Sequence, residues 1–249
     1  MKKYLTCVMD VGECMLTSGA EIHRVEESVD RMCKAYGAVR VDVFIITSSM
    51  VVTVFDAEEQ TYTQTRRITA YTTDFEKIHH LNALSRRICQ EKPAPETVQQ
   101  ELERIRLCKT YPFWLECICY SVIAGAFTLF FGGNLGEMLV SLAVGLMVRL
   151  GISLCELAIS NKIFSKFFSA ALATALAMLA VRLGWIDSID KIIIGNIMTL
   201  IPGIGLTNAL RDLFTGDSIA GLLRSIEAAL TALAIAAGYF LVTVLGGIL

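Results

Sequence analysis

The residues best placed to do chemistry are a few charged side chains inside long apolar stretches of this 249-residue chain. Glu116, Arg149 and Glu227 each interrupt such a stretch. A charge in a lipid-facing helix is costly, and by default it marks a solute or proton pathway or a paired site. A carboxyl in a medium of low dielectric can hold a proton near neutral pH. We therefore predict that Glu116 and Glu227 are protonatable groups on a translocation path.

A second candidate is the segment Pro202-Gly-Ile-Gly205, which interrupts another apolar stretch. Proline removes a helix donor and glycine tolerates unwinding, so a helix is expected to break here. Backbone groups freed at membrane depth must line a cavity or be covered by protein, and broken helices build substrate sites in many transporters. An ordinary packing kink is the alternative. The residues around the break that we assign to the path are Asn196, Thr199, Pro202, Gly203, Thr207 and Asn208.

Charged residues follow the break at Arg211, Asp212, Asp217 and Arg224. Arg224 and Glu227 are three residues apart, so they can meet on one helix face. Arg211 or Asp212 could close a network with them. Two interpretations stay open, namely a loop at the membrane interface held by salt bridges and a cytoplasmic gate beside the solute path.

The N-terminal region contains a cluster of polar residues that we single out as one motif. Its members are Ser18, Gly19, Glu21, Arg24 and Glu26. The spacing Ser18-x-x-Glu21 matches a capping box and predicts a helix that begins at Ser18. His23 and Glu26 would share a face while Arg24 points elsewhere, which favours a solvated or interfacial face over an intramembrane hydrolase. We predict that the protein is not an enzyme and has no catalytic residues.

Other chemistries lack their sequence signals. Adjacent histidines such as His79 and His80 point about 100° apart on a helix and chelate poorly. No Walker A, Gly-x-Ser-x-Gly or His-Glu-x-x-His motif is present, so we expect no cofactor, no metal and no built-in ATPase. The net charge of −2 gives no electrostatic attraction to nucleic acid, and nucleic-acid binding is excluded.

Two kinds of element must position these residues. Residues 1–110 hold most of the charge, with helical periods at 4–16, 18–37, 75–88 and 98–105. Between the second and third of these, alternating β-branched residues at 39–45, 50–55 and 61–68 predict a three-stranded meander. We predict a small cytoplasmic α+β domain over residues 1–110.

Residues 111–249 are predicted to form a transmembrane domain of about five helices. Apolar stretches run at 112–131, 134–154, 164–184, 191–210 and 222–247, each near the ~20 residues that cross a bilayer. Small residues recur four apart, a spacing that lets membrane helices approach closely. They are Ser121/Gly125, Ser141/Gly145, Ser169/Ala173/Ala177 and Ala228/Ala232/Ala236. The fold class is therefore an α-helical polytopic membrane protein preceded by the α+β domain.

The basic residues predict the orientation of this domain. Lys and Arg concentrate in the N-terminal domain and in the 155–166 and 211–224 loops. Two other loops are predicted on the opposite side of the membrane. They are 131–136 and 184–190, and the second contains Trp185, Asp187 and Asp190. By the positive-inside rule the N-terminus is cytoplasmic and the C-terminus external. We expect a multi-pass protein of the bacterial cytoplasmic (inner) membrane.

Two separated motifs resemble the threonine/serine exporter family. The stretch Ser18-Gly-Ala-Glu-Ile-His-Arg-Val-Glu26, followed by Ala35-Tyr-Gly37 and a Val-rich β segment, is similar to the family's opening. The block that resembles its most recognisable membrane segment contains Pro202-Gly203, Asn208, Arg211-Asp212, Gly216-Asp217, Gly221, Arg224 and Glu227. The resemblance spans nearly the whole chain. It implies secondary export of small hydrophilic solutes, typically threonine and serine, and in some two-component relatives succinate and similar C4-dicarboxylates.

The resemblance also implies partners. Single-chain members carry a second hydrophobic half, so this chain looks like the larger subunit of the split form. The expected partners are the lipid bilayer, a small separate membrane subunit that supplies the missing half, and a small polar solute, with a homo-oligomer left open. Our leading hypothesis is a subunit of a proton-coupled exporter. The alternative is a membrane-anchored sensor or binding module whose N-terminal domain recognises a ligand or partner.

Overall fold

A computed structural model of the chain describes residues 1–69, 71–108, 111–158, 161–186 and 189–248. Its residues divide into two units. The first contains Met1–Lys109 and Leu206–Ser225, and the second contains Thr110–Gly205 and Ile226–Leu249. The segment 206–225, which the hydropathy pattern placed in the membrane part, therefore groups with the N-terminal residues. Asp187, named above as a loop residue, lies outside the described residues.

The first unit is a helical layer on a small sheet. Its N-terminal elements are α1 (Lys2–Thr17), α2 (Ile22–Ala35), β1 (Arg40–Ile46), β2 (Ser49–Phe55), β3 (Thr61–Arg67), α3 (Phe75–Glu91) and α4 (Pro95–Arg106). The strands form an antiparallel sheet of order β1-β2-β3, with Val52 opposite Val43 and Gln64. This confirms the predicted meander.

The core of the first unit follows from the period-two pattern of β2. Met50, Val52 and Val54 all point inward and are completely buried, because alternate residues of a strand face the same side. Helix α1 packs against β2 and β3 and also contacts α2, α3 and α4. Its apolar residues, including Val8 and Met9, are buried in the same cluster. Thus α1 is the central helix of this unit.

The predicted capping box at Ser18 is wrong. Helix α2 begins at Ile22 with Glu21 as its N-cap, and Glu21 makes no side-chain capping bond. Ser18 instead caps the C-terminus of α1. Gly19 adopts φ +94°, and the Ala20 N–H donates to the Met15 carbonyl at 3.0 Å. This is the Schellman geometry that glycine favours, so the Ser-Gly pair ends one helix instead of beginning the next.

A side chain also caps the N-terminus of α3. The N-cap is Asp74, whose side chain accepts the Lys77 N–H at 3.0 Å. Aspartate is a strong N-cap residue because its carboxylate accepts a free N–H of the first turn.

The second unit contains the long apolar helices. They are α5 (Phe113–Phe130), α6 (Leu135–Ala158) and α7 (Lys162–Arg182), followed by the short α8 (Asp190–Ile197). Helices α9 (Gly203–Thr215) and α10 (Ser218–Ile248) each have residues in both units. Within the described ranges, four helices are long and apolar enough to cross a membrane, at Phe113–Phe130, Leu135–Leu157, Lys162–Arg182 and Ser218–Gly246. The chain is therefore a helical membrane protein with a small α+β domain.

The remaining apolar stretch, predicted at 191–210, is not one helix. Helix α8 ends at Ile197 and α9 begins at Gly203. The break lies at 198–202 and so includes Pro202, whereas the rest of the predicted Pro202-Gly-Ile-Gly205 segment belongs to α9. Proline has no N–H to donate and clashes with the preceding turn, so α8 cannot continue through Pro202.

Small residues let α5, α6 and α7 pack closely, as their spacing predicted. The Ser121 hydroxyl donates to the Leu142 carbonyl at 2.7 Å. A Cβ added at Gly145 would lie 2.9 Å from the Tyr120 carbonyl oxygen, which leaves no room for a side chain. On α7 the whole predicted stripe of Ser169, Ala173 and Ala177 is buried.

The predicted small-residue stripe on α10 is only partly a packing face. Ala228 is buried, but Ala232 and Ala236 are exposed. The helix packs instead through Ile235 and Gly238, where an added Cβ would lie 3.1 Å from the Ala171 nitrogen. The alanine spacing failed here because alanine favours helix everywhere and so does not mark a contact face.

Candidate functional site

The first unit brings the two family-like motifs together in an ion-pair network. Arg211, from α9, pairs with Glu21 at the start of α2. Arg224, from α10, donates to Asp212 across 2.8 Å. The side chains of Arg224 and Asp212 are only 11% and 1% exposed, so this second pair is shielded from water. We call these four residues the motif network.

An aromatic ring flanks the buried pair of the motif network. The guanidinium carbon of Arg224 lies 5.8 Å from the centroid of the Tyr71 ring. A cation at that distance is attracted by the negative face of the ring. Asp212 and Arg224 can meet because α9 and α10 approach closely at Gly221. A Cβ added at Gly221 would lie 2.8 Å from the Leu213 nitrogen. Glycine is therefore required where α10 crosses α9.

Four carboxyl groups crowd the same unit, namely Glu21, Glu26, Asp212 and Asp217. Burial raises the pKa of Asp212, and Asp217 and Glu21 raise it further, while Arg224 lowers it. Burial also raises the pKa of Glu26, with a further increase from Asp217. The Ile45 N–H donates to the Glu26 Oε1 at 3.2 Å, and this hydrogen bond lowers the pKa of Glu26. Asp217 thus disfavours the charged form of both neighbours.

Arg24 lies apart from the motif network. It lines a cleft of about 400 Å³ between α2 and α3, together with Arg31 and Arg86. Arg31 pairs with Glu27 on its own helix. The cleft presents several guanidinium groups to solvent, a chemistry suited to an anionic ligand.

The second unit contains a buried polar cluster next to the helix break. The side-chain nitrogen of Asn196, on α8, donates to the Ser141 hydroxyl of α6 and to the Ile192 carbonyl, each at 2.9 Å. The Thr128 hydroxyl of α5 donates to Ser141 at 2.7 Å. All three side chains are completely buried. We call Thr128, Ser141 and Asn196 the amide cluster.

The amide cluster has an unfilled hydrogen-bonding position. The Asn196 Oδ1 is buried and has no hydrogen-bond partner among the described residues. A buried acceptor without a donor is unfavourable by roughly 1–3 kcal/mol, so this atom can accept a hydrogen bond from a water molecule, an ion-bound group or a solute. Helix α8 reaches α5 because Gly195 lies against it, with an added Cβ only 2.8 Å from the Ala124 carbonyl oxygen.

A charged pair lies elsewhere in the second unit. Arg149 of α6 donates from Nε to the Glu116 Oε2 of α5 at 3.0 Å, and its Nη2 contacts the same oxygen. Both charges interrupt apolar stretches of the sequence, but only Glu116 was predicted to lie on the path. The sequence contains a signal that could have paired Arg149 with Glu116. Glu116 lies early in one predicted span and Arg149 late in the next, so the two lie at similar depth when the helices are antiparallel.

The structure distributes the other predicted path residues over the two units. Thr199 belongs to the second unit, where its hydroxyl donates to the Asn196 carbonyl at 2.7 Å. Pro202 precedes α9 and Gly203 begins it. Thr207 and Asn208 belong to the first unit, whereas the amide cluster belongs to the second.

Glu227 is exposed on α10 and makes no ion pair within the described part of the chain. Arg224 is bound to Asp212, so the suggested pairing of Arg224 with Glu227 does not form. Over those same residues, no group of three or more His, Cys, Asp and Glu side chains could hold a metal ion.

Comparison with known proteins gives one finding. A family model described as "ThrE: Putative threonine/serine exporter" matches residues 6–246, nearly the whole chain. No curated protein and no solved structure matches the chain.

Proposed function

Since the chain belongs to the threonine/serine exporter family, we propose that it is a subunit of a secondary exporter that moves threonine and serine out of a bacterial cell. The observation that carries this proposal is the amide cluster, in which the Asn196 Oδ1 is buried without a donor. A hydroxyl or ammonium group of a passing solute is a suitable donor for that atom. Within the second unit, the proposed path residues are those assigned from the sequence, with Thr128 and Ser141 added. They are Glu116, Asn196, Thr199, Pro202, Gly203, Glu227, Thr128 and Ser141.

The helix break supports a path at this point. Residues 198–202 are not helical, although they lie inside an apolar stretch. Irregular backbone at membrane depth is tolerated where protein covers it or where it lines a cavity. Asn196 and Thr199 stand directly before the break, and the Thr199 hydroxyl binds a carbonyl of α8.

The motif network is a candidate cytoplasmic gate. It joins Glu21, Arg211, Asp212 and Arg224 in the unit that carries most of the chain's charge. Ion pairs can exist in two arrangements of similar free energy, which suits an element that opens and closes. In this proposal Asp217 and Glu26 belong to the gate because Asp217 raises the pKa values of both Glu26 and Asp212.

A small separate membrane subunit is part of the proposal, as is coupling to protons. Exposed apolar residues cover much of α5 and α10, including Trp114 and Phe240 at 63% and 66% exposure. Lipid tails and a second membrane protein are both suitable neighbours for such surfaces. Glu227, exposed and without an ion pair among the described residues, is the proposed proton carrier. Dicarboxylates such as succinate are the competing solute class.

The decisive experiment measures efflux of preloaded radiolabelled threonine, serine and succinate from cells that lack their own exporters. The chain is expressed alone and then with the small membrane protein encoded beside it. We expect threonine and serine efflux only with the pair. Succinate efflux alone would replace the amino acids as solute, and no efflux with both proteins confirmed in the membrane would overturn the proposal.

Matched variants test the path in the same assay. Thr128→Val removes the buried hydroxyl that binds Ser141 without changing the side-chain volume, and we expect efflux to fall about tenfold or more. Thr243→Val is the control, since the hydroxyl of Thr243 donates to the Tyr239 carbonyl of its own helix. Glu227→Gln should abolish the dependence of efflux on the proton gradient. Equal efflux for Thr128→Val and Thr243→Val would remove the amide cluster from the path.

A second candidate function is favoured by the arginine-lined cleft. Arg24, Arg31 and Arg86 could hold an anionic ligand in a membrane-anchored sensor. This hypothesis predicts that the intact chain binds an anion through these residues while showing no solute flux. Measured flux that persists in an Arg24→Gln/Arg86→Gln variant would exclude sensing as the main role.

A further inference from the structure

Arg149 uses only part of its hydrogen-bonding capacity. Both Nε and Nη2 contact a single oxygen of Glu116, so one edge of the guanidinium is occupied. Nη1 is buried and has no hydrogen-bond partner in the described parts of the chain. The guanidinium carries five N–H donors in a planar fork, and the donors of Nη1 are unfilled, so a second carboxylate could accept from them.

Two aromatic rings fix the plane of this guanidinium. Its carbon lies 4.8 Å from the centroid of the Phe113 ring and 5.8 Å from that of Tyr120. Rings at these distances attract a cation and also remove water from its faces. The Arg149 side chain is only 13% exposed as a result. An unpaired N–H on a buried cation is costly, and a carboxylate is the ligand that satisfies it best.

Glu116 complements Arg149 as the other half of a binding site. Only its Oε2 binds Arg149, and its side chain is 37% exposed. Its Oε1 accepts none of the hydrogen bonds found among the described residues. A free carboxylate oxygen beside a free guanidinium edge presents one acceptor and one donor group to an approaching solute.

The net charge around Glu116 and Arg149 favours a zwitterionic solute over a dicarboxylate. Two further charged groups lie near this site, since Arg149 and Glu156 both act on Lys166, and Glu156 acts on Tyr120 together with Glu116 and Arg149. In their ionised forms Glu116, Arg149, Glu156 and Lys166 together are neutral. A zwitterion keeps that balance, whereas a dicarboxylate would add two negative charges beside Glu116 and Glu156. Like charges in a medium of low dielectric repel strongly.

We propose that Glu116 and Arg149 bind the zwitterionic head of an α-amino acid, with its carboxylate on the Arg149 Nη1/Nη2 edge and its ammonium on Glu116. This inference rests on the proposed export function and narrows its substrate class to amino acids. Arg149 follows Ser141 by eight residues on α6, which is about 12 Å along the helix axis. The head-group site and the amide cluster are therefore two separate sites, too far apart for one amino-acid head group to fill both.

The test measures binding of radiolabelled threonine to the purified full-length chain, with its partner where the two co-purify. The unlabelled competitors are threonine, threonine amide, which lacks the carboxylate, N-acetylthreonine, which lacks the ammonium, and succinate. In the unsubstituted protein we expect each blocked analogue to compete roughly 10- to 100-fold more weakly than threonine. Succinate should compete no better than the blocked analogues.

Each variant should lose one part of this discrimination. Arg149→Gln should bind threonine and threonine amide equally, and Glu116→Gln should bind threonine and N-acetylthreonine equally. Arg182→Gln is the matched control, since Arg182 is exposed and donates to the Gly246 carbonyl. The double variant Glu116→Gln/Arg149→Gln removes both charges together. If the pair were merely structural, this double variant would regain threonine binding.

The outcomes separate this inference from the export function. Threonine efflux together with full discrimination in Arg149→Gln would overturn the head-group site and leave the exporter proposal standing. Recovery of binding in the double variant would do the same. Absence of both threonine binding and threonine efflux in the unsubstituted protein would overturn the two proposals together.

Discussion

At the residue scale, the behaviour of this protein depends on charges held in places where water is scarce. Asp212 is almost completely buried and has one cationic partner, Arg224. A buried pair of this kind adds little to stability as a whole, yet removing one partner leaves an uncompensated charge that is unfavourable by about 3–5 kcal/mol. Asp217 adds a second negative charge nearby and raises the pKa of Asp212. Protonation of Asp212 therefore relieves its repulsion by Asp217.

Asp217→Asn tests this description through the pH dependence of stability. Asp212 and Glu26 have folded-state pKa values above their ordinary values of 3.8 and 4.5. The folded protein thus holds protons more tightly than the unfolded chain, and the stability from these groups is lost as pH rises through the raised pKa values. Removing the Asp217 charge lowers the pKa values of both groups. We therefore expect the free energy of unfolding to rise by up to about 1 kcal/mol at neutral pH and to depend less on pH.

Thermal unfolding of the detergent-solubilised protein, followed from about pH 4 to about pH 8, measures this effect. Glu58→Gln removes a carboxylate from an exposed position of the same unit and serves as the control. An unchanged slope in Asp217→Asn would show that Asp217 does not act on Asp212 and Glu26.

At the element scale, the short helix α8 is the unusual feature of the membrane unit. It packs against α5, α6 and α7 although it has only eight residues. Gly195 permits the contact with α5, where the Ala124 carbonyl oxygen and the Thr128 hydroxyl occupy the space of a side chain. In contrast, an added Cβ at Gly203 meets nothing within 4 Å, and Gly203 does not adopt positive φ. The two glycines near the break therefore have different roles.

Gly195→Ala should separate α8 from α5 and displace Asn196 from Ser141. We expect a loss of stability of about 1–3 kcal/mol, as in other overpacked contacts, together with loss of threonine efflux. Gly203→Ala is the matched control and should retain both, since its backbone conformation suits alanine. Thermal unfolding and efflux are measured for each variant. A tolerated Gly195→Ala would show that the close approach of α8 is not required.

At the scale of the whole molecule, the division into units constrains the membrane topology. Residues 1–109 and 206–225 belong to one unit, so we expect the chain to return to the side from which it entered. Between them α5, α6 and α7 provide three crossings, and a fourth is needed for the return. Helix α8 covers only about 12 Å of the ~30 Å hydrocarbon layer. The fourth crossing must therefore include the non-helical residues after it.

We therefore predict that α10 is the fifth crossing and that the C-terminus lies outside the cell. A C-terminal fusion to alkaline phosphatase should be active, and a fusion to a fluorescent protein that matures only in the cytoplasm should stay dark. The same reporters inserted at Gly216, in the turn between α9 and α10, should give the opposite result. A fluorescent C-terminal fusion would mean that the segment containing α8 does not cross the membrane.

Much of the fold could be predicted from the sequence because it depends on local periodicity. The period-two run at 39–68 determined the meander, and uninterrupted apolar stretches determined the long helices. Pro202 determined that the stretch 191–210 would break. The failures were also local in origin, as at Ser18, where a capping signal and a helix-ending Ser-Gly pair overlap and Gly19 adopts φ +94°.

The candidate sites depended on tertiary structure. Hydropathy identified Glu116, Arg149 and Asn196 as polar residues in apolar stretches, but it carries no information about which helices are neighbours. Packing decided that Glu116 meets Arg149, that Asn196 meets Ser141 and Thr128, and that Arg224 binds Asp212 instead of Glu227. The physical reason is that periodicity is a property of one helix, whereas a buried ion pair or amide contact requires two backbones to approach within a few ångströms. Side-chain volumes along the whole interface set that approach.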